Sequence, residues 1–148
     1  MTRARPRFHL AFPVDDLEAA RRFYGGVLRC PEGRERPGHW IDFDLHGHQI
    51  VAHYAPEDCR VAGASDADGK AIPARHFGLI LSWPAWEALR DRLREARADF
   101  LIEPHVRFAG KPGEQATMFV RDPAGNALEF KAFRDERMVF AKGAPTNG

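Results

Sequence analysis

Two histidines and a glutamate stand out by position. His9 lies near the start of the strand-like stretch RFHLAFPV, His76 opens HFGLILSW, and Glu129 interrupts the apolar run NALEFKAF. A lone histidine on a strand is more often a satisfied core or surface group than a ligand. A carboxylate inside an apolar strand is costly unless it is paired or holds a metal. Two imidazoles and one carboxylate, if they share an ion, leave open coordination positions and suit Fe, Mn, Zn or Ni. An ion so held can bind two oxygens of a substrate as a Lewis acid. His105 and Arg107 share strand parity in EPHVRF and could approach an anionic substrate oxygen or the outer coordination shell. Arg107, Lys111 and Glu114 also fit the bland reading of solvated loop charges. His39, His46 and His48 read as loop or turn residues without chemistry. Cys30 and Cys59 lack the spacing of a metal knuckle or a disulfide framework and read as ordinary thiols.

The elements that must position these residues can be read from periodicity. Residues 7–14 alternate Phe8, Leu10 and Phe12 against His9 and Ala11, as a half-buried strand does. Asp15, three residues before Glu18, suggests a capping box for a helix carrying Leu17, Ala20, Tyr24, Val27 and Leu28, weakened by Gly25 and Gly26. Residues 31–38 read as a loop. Strands are expected over 40–45 and 48–54 with a His46-Gly47 turn, and a polar linker over 56–73. Within that linker Asp66-x-Asp68-Gly69 faintly resembles a calcium loop but lacks the remaining ligands. The order then returns. A strand over 76–83 leads to a helix with Pro84 in its first turn and Trp86, Leu89, Leu93 and Ala96 as its stripe. A strand restarts over 100–102, Lys111-Pro112-Gly113-Glu114 turns, and 116–120 pairs with 126–133 across a second turn.

The strand–helix–strands order therefore occurs twice, which makes equivalent positions comparable. Aligned on Gly47 and Gly125, Val51 corresponds to Glu129. Strands with one helix per copy predict an α+β fold in which helices cover one side of curved, mostly antiparallel sheets. Phe8/Leu10/Phe12, Phe77/Leu79/Leu81 and Leu128/Phe130 should lie under the helices, leaving His9, His76 and Glu129 on the other faces.

Composition narrows the partners. With 148 residues, 44% of them hydrophobic, the chain fits one ordinary globular domain. Its 22 basic and 21 acidic residues nearly cancel, so it lacks the footprint of a nucleic-acid or anionic-membrane binder. No apolar run reaches the length of a spanning helix and no signal-peptide core follows the basic start, so a cytoplasmic protein is expected.

The two modules, the histidine on the first strand of each, and the ending MFVRDPAGNALEF resemble the vicinal oxygen chelate superfamily. That superfamily includes glyoxalase I, extradiol dioxygenases, fosfomycin-resistance thiol transferases, methylmalonyl-CoA epimerases and bleomycin-binding proteins. The resemblance spans residues 7–133, with module 1 at about 7–55, a linker at about 56–74, module 2 at about 75–133 and a tail over 134–148. It implies two βαβββ modules that form a curved, cup-like mixed sheet with flanking helices around one divalent metal. The superfamily's ligand positions fall on His9, His76 and Glu129. A fourth position falls on Val51, which disfavours a four-ligand glyoxalase I site. If Val51 faces the cup, so do Gln49 and His53, which makes His53 a candidate general base or acid. Module pairing varies in the superfamily, so ligands of one chain need not meet in one cup.

The resemblance implies a small metal-dependent enzyme acting on a substrate with adjacent oxygens, by dioxygenase or lyase/isomerase-type chemistry, and a homodimer is plausible. The alternative is a non-catalytic module that sequesters a small molecule, with Trp40, Phe43, Tyr54 and Phe108 as apolar contacts. A purely structural interaction domain gains nothing from the His/His/Glu set. In the tail, Met138, Val139 and Phe140 form an apolar cluster expected to dock on the domain or on a partner subunit, and the APTNG terminus is expected to fray.

Overall fold

A computed structural model describes residues 4–59, 64–67 and 70–143. They divide into two compact units, one drawn from Met1–Arg60 with Pro123–Asn126, the other from Val61–Asp122 with Ala127–Gly148. Each contains a four-stranded mixed sheet, and the fold is α+β with the βαβββ order twice. Among the described residues no helix is long and apolar enough to cross a membrane.

The first unit runs β1 (His9–Val14), α1 (Leu17–Ala20), a π-helical segment (Arg21–Val27), β2 (Glu32–Arg36), β3 (Trp40–Leu45) and β4 (His48–Tyr54). The sheet order is β1-β4-β3-β2, with β1 parallel to β4 and the other pairs antiparallel. Phe12, Val14, Ile41, Phe43, Ile50 and Ala52 are buried on one face of it. Tyr24, fully buried, packs its ring 5.1 Å from Phe12 and 5.5 Å from Phe43, so the helical segment is held by aromatic packing on that face. His46 and Gly47 both have positive φ, as a tight two-residue hairpin requires, and the Asp44 carboxylate accepts from the Gly47 N–H.

The second unit adds a hairpin of β5 (Ala64–Ala67) and β6 (Lys70–Pro73) before β7 (His76–Leu81), α2 (Trp83–Glu95), β8 (Asp99–Arg107), β9 (Gln115–Arg121) and β10 (Ala127–Phe133). Its main sheet has the order β7-β10-β9-β8, with β7 parallel to β10. Trp86, Leu89 and Leu93 of α2 are buried, as are Met118, Val120, Leu128 and Phe130 on one sheet face. The Trp86 indole N–H donates to the Phe130 carbonyl at 2.8 Å, which pins helix to sheet at a point buried from water.

Several expectations are corrected. The helix cap is Asp16, not Asp15: Asp16 has extended backbone angles, and its carboxylate accepts from the Ala19 N–H at 2.9 Å. The α-helix ends at Ala20 and continues as a π-helix. The expected loop over 31–38 contains β2, an edge strand exposed at every residue and bulged between Glu32 and Glu35. Such a strand pairs through its backbone and carries no hydrophobic alternation, while its charges discourage edge-to-edge association. The expected linker holds a 3-10 turn (Pro56–Asp58) and the β5–β6 hairpin, where Ile72 packs with Ile102 and Phe119. The seventh strand stops at Leu81 because Ser82 caps α2, its hydroxyl accepting from the Ala85 N–H. The eighth strand runs on through Arg107, with two register shifts breaking its periodicity. Phe8, expected in the core, is 58% exposed, and Phe140, after a short 3-10 helix (Glu136–Met138), is 93% exposed and so is not docked on its own domain, one of the two placements expected for it. Asp68 and Gly69 of the calcium-like pattern, and the APTNG terminus, lie outside the described residues.

Candidate functional site

Strand register carries the repeat down to single residues. In the first sheet His9 pairs with Gln49 and Ala11 with Val51. In the second, His76 pairs with Ala127 and Gly78 with Glu129. His9 is thus equivalent to His76 and Val51 to Glu129, as the glycine alignment predicts. Parity places His9, Gln49, Val51 and His53 on the face of the first sheet opposite the Tyr24 core. His76, Glu129 and Lys131 share the face of the second sheet opposite α2.

In the second unit the structure brings His76 and Glu129 together. The imidazole Nε2 lies 3.4 Å from Glu129 Oε2, and Nδ1 lies 3.0 Å from the Pro73 carbonyl oxygen. A carbonyl only accepts, so Nδ1 carries a proton and donates it there. In the neutral ring Nε2 then presents a lone pair to a carboxylate oxygen. Two acceptors face each other, an arrangement that either a proton on Nε2 or a shared cation relieves. Imidazole held through Nδ1–H by a backbone carbonyl, with Nε2 open, is how metal-ligating histidines are commonly oriented. The other carboxylate oxygen is already engaged: Thr117 Oγ1 donates to Glu129 Oε1 at 3.3 Å, and the Lys131 ammonium lies 3.8 Å from it. Oε2 is therefore the oxygen left to ligate. The Phe119 ring packs edge-on to His76 at 5.2 Å and limits how the imidazole can turn. His76, Gly78, Ile80, Glu129 and Lys131 line an open cavity of about 220 Å³.

In the first unit His9 is oriented by a side chain instead. Its Nδ1 lies 2.8 Å from Gln49 Oε1, and Gln49 Nε2 donates to Asp42 Oδ2 at 3.2 Å. Val51 is buried, which keeps an apolar group where Glu129 stands in the other module. His53 is exposed on the same face, paired in register with Trp40 and Pro13. Among the described residues no three His, Cys, Asp or Glu side chains are assembled as a ligand group; the pair His76–Glu129 is what the second unit supplies.

His105 pairs with Thr117, which pairs with Lys131, so His105 lies on the Glu129 face two strands away from β10. Its Nδ1 lies 2.9 Å from the Glu103 carbonyl oxygen. Arg107 is two residues further along β8 and packs its guanidinium 5.1 Å from the Phe108 ring. Of the proposed apolar contacts, Phe43 is 1% exposed in the helix-side core, and Tyr54 also belongs to that side by parity, so neither lines the His9 face. Only Trp40 of that pair of strands shares the His53 row. Sequence reasoning missed Thr117 and the Gln49–Asp42 pair. The signal for Asp42 was present: an acid between two bulky apolar residues in WIDFDL, the same anomaly that singled out Glu129.

The model of the Glyoxalase/Bleomycin resistance protein/Dioxygenase superfamily matches residues 8–130. The chain belongs to this superfamily. A search of the curated proteins found no match. A solved glyoxalase/bleomycin resistance protein/dioxygenase from Alicyclobacillus acidocaldarius is 31% identical, with a TM-score of 0.76 over 95% of this chain and 100% of that one. Two more distant structures share the fold. A lactoylglutathione lyase from Agrobacterium tumefaciens is 22% identical (TM-score 0.62, 86% of this chain and 92% of that one). The fosfomycin resistance protein FosX from Listeria monocytogenes is 12% identical (TM-score 0.65, 93% and 98%).

Proposed function

We propose that the protein is a small metal-dependent enzyme that binds a substrate with two adjacent oxygens at a divalent ion held by His9, His76 and Glu129. The observation that carries this reading is the geometry at His76: Nδ1–H is committed to the Pro73 carbonyl, and Nε2 faces the one carboxylate oxygen of Glu129 that Thr117 and Lys131 do not engage. Fe, Mn, Zn or Ni suits two imidazoles and a carboxylate. When bound, such an ion supplies Lewis acidity toward adjacent substrate oxygens. The chain's own groups do the rest. Thr117 and Lys131 hold Glu129 by Oε1 and fix the direction of Oε2. His53 takes or returns a substrate proton at its imidazole, the side chain most often used for such transfer. His105 and Arg107 contact the substrate's anionic side. Val51, buried where a fourth ligand would stand, favours the three-ligand chemistry of dioxygenases or lyases over a four-ligand glyoxalase I site. The protein acts in the cytoplasm, as a homodimer.

The competing reading is a module that sequesters a small molecule without chemistry. It makes no use of Glu129, whose side chain is only 19% exposed and whose carboxylate would burden an apolar ligand site. The test is the metal content of untagged protein, before and after reconstitution with Fe(II), Mn, Zn or Ni, against His76→Ala and Glu129→Ala. Near-stoichiometric metal in the parent, lost in both folded variants, supports the enzyme. A parent that takes up none of the four ions overturns it in favour of sequestration. His53→Ala should then keep the metal and lose turnover; unchanged turnover removes His53 from the mechanism.

A further inference from the structure

The first module solves a problem that the second does not have. In the second, the backbone carbonyl of Pro73 dictates which nitrogen of His76 carries the proton. His9 meets instead an amide side chain, which can present either its oxygen or its NH2 to the ring. What decides between them is Asp42. Asp42 is 4% exposed, and its carboxylate, when ionised, can only accept hydrogen bonds. It receives two to the same oxygen, Oδ2: one from Arg34 Nε at 3.1 Å and one from Gln49 Nε2 at 3.2 Å. If the Gln49 amide turned over, its oxygen would face that carboxylate, acceptor against acceptor in a part-buried place, and both groups would lose a partner. Gln49 is thereby fixed with Oε1 toward His9, so His9 Nδ1 must be the donor across the 2.8 Å contact.

We propose that Arg34, Asp42 and Gln49 form a polar relay that sets His9 as its Nδ1–H tautomer, leaving Nε2 as the nitrogen that ligates. The use of that nitrogen rests on the metal reading above; the tautomer does not. Asp42 and Gln49 are positioning residues, and Asp42 acts entirely through Gln49. The relay also explains why a carboxylate is retained between Ile41 and Phe43. Burying it is costly unless its donors are in place, and both donors lie on the side of the sheet that carries His9. Gly33 packs closely against it: a Cβ on Gly33 would stand 3.3 Å from the Asp42 Cβ, a few tenths of an ångström tighter than is usual.

The relay can be broken at its acceptor or kept without its charge. Asp42→Leu removes the acceptor and leaves Gln49 free to turn. In Asp42→Asn the Arg34 guanidinium, which can only donate, keeps the amide oxygen at the shared position, where it still accepts from Gln49 Nε2. The experiment is a long-range proton–nitrogen NMR correlation on metal-free, nitrogen-15-labelled protein at about pH 8.5, well above the ordinary histidine pKa of about 6.5. It is paired with zinc affinity by chelator competition. The parent should show His9 protonated at Nδ1. Asp42→Leu should move population to the Nε2–H tautomer and weaken zinc about 10–100-fold, the usual effect of removing a ligand's hydrogen-bond partner. Asp42→Asn should keep the tautomer and hold zinc within a few-fold of the parent. An Nε2–H tautomer in the metal-free parent overturns the relay, as does an Asp42→Leu variant that folds and keeps the parent's Nδ1–H population. A parent with the Nδ1–H tautomer that nevertheless takes up no ion leaves the relay standing and overturns the metal reading instead.

Discussion

Gly78 is where the fold of the second module and its candidate site meet in one atom. It pairs with Glu129 across the parallel β7–β10 contact. A Cβ built on it would fall on the Glu129 carbonyl oxygen and lie 2.6 Å from the carbonyl carbon. Ordinary contact begins near 3.4 Å, so the strands must part by roughly 0.8 Å at the carbon and by more at the oxygen. The backbone of β10 is locked between β7 and β9, whereas β7 is the sheet edge and must be the one to move. Gly78→Ala should therefore cost about 1–3 kcal/mol as overpacking, and about 1 kcal/mol more if a ladder hydrogen bond is lost. For a chain of this size that corresponds to a melting temperature lower by roughly 3–13 °C. Displacing β7 also draws His76 from its 3.4 Å approach to Glu129, so zinc affinity should fall with stability. The equivalent position in the first sheet supplies the control, because Ala11 carries a Cβ opposite Val51. Ala11→Gly should cost no more than about 1 kcal/mol. Thermal unfolding by circular dichroism reads the first effect and chelator competition the second. A Gly78→Ala protein with the parent's melting temperature would refute the claim that this close approach constrains the site.

Two further outcomes follow from the contacts. Thr117→Val keeps the buried volume but removes the hydroxyl that donates to Glu129 Oε1; it should leave the melting temperature within a few degrees of the parent's while weakening zinc several-fold, read by the same competition assay. Trp86→Phe strands the Phe130 carbonyl inside the α2 contact and should cost about 1–3 kcal/mol in denaturant unfolding, with zinc affinity unchanged.

What the sequence made legible follows from where periodicity survives. The strands carrying His9 and Glu129 each bury residues on one face, and the strand carrying His76 alternates half-buried with exposed positions, so alternation marks all three and assigns His9, His76 and Glu129 to the other face. The two-residue turn at His46-Gly47 and the turn after Asp122 are marked by their glycines. What was hidden pairs by backbone alone. β2 is exposed throughout and leaves no hydrophobic trace. β8 carries two register shifts, so its single long strand reads as a short one followed by loop. The β5–β6 hairpin lies in a polar stretch whose composition signals a linker. At the site, the metal-ligating types were visible because histidine and glutamate are unusual in apolar strands. Their supports were not, because a threonine or glutamine on a strand announces nothing until register shows what lies opposite.

Register also shows how the two copies have diverged. At two pairs of equivalent positions one module is polar and the other is not: Gln49 against Ala127, and Val51 against Glu129. In the second module the carboxylate stands one pleat along the strand from the histidine's partner, and the histidine is held by a main-chain carbonyl that no substitution at that position removes. In the first the carboxylate position is apolar, and the polar group has moved back one pleat to hold the ring itself. A glutamine there needs something to orient its amide, and that need accounts for a buried acid on the neighbouring strand and an arginine on the next. Changes that look independent along the sequence, Val51, Gln49, Asp42 and Arg34, are therefore one arrangement. The first copy carries no carboxylate at the Glu129 position, and its polar residues are arranged around the orientation of His9 instead.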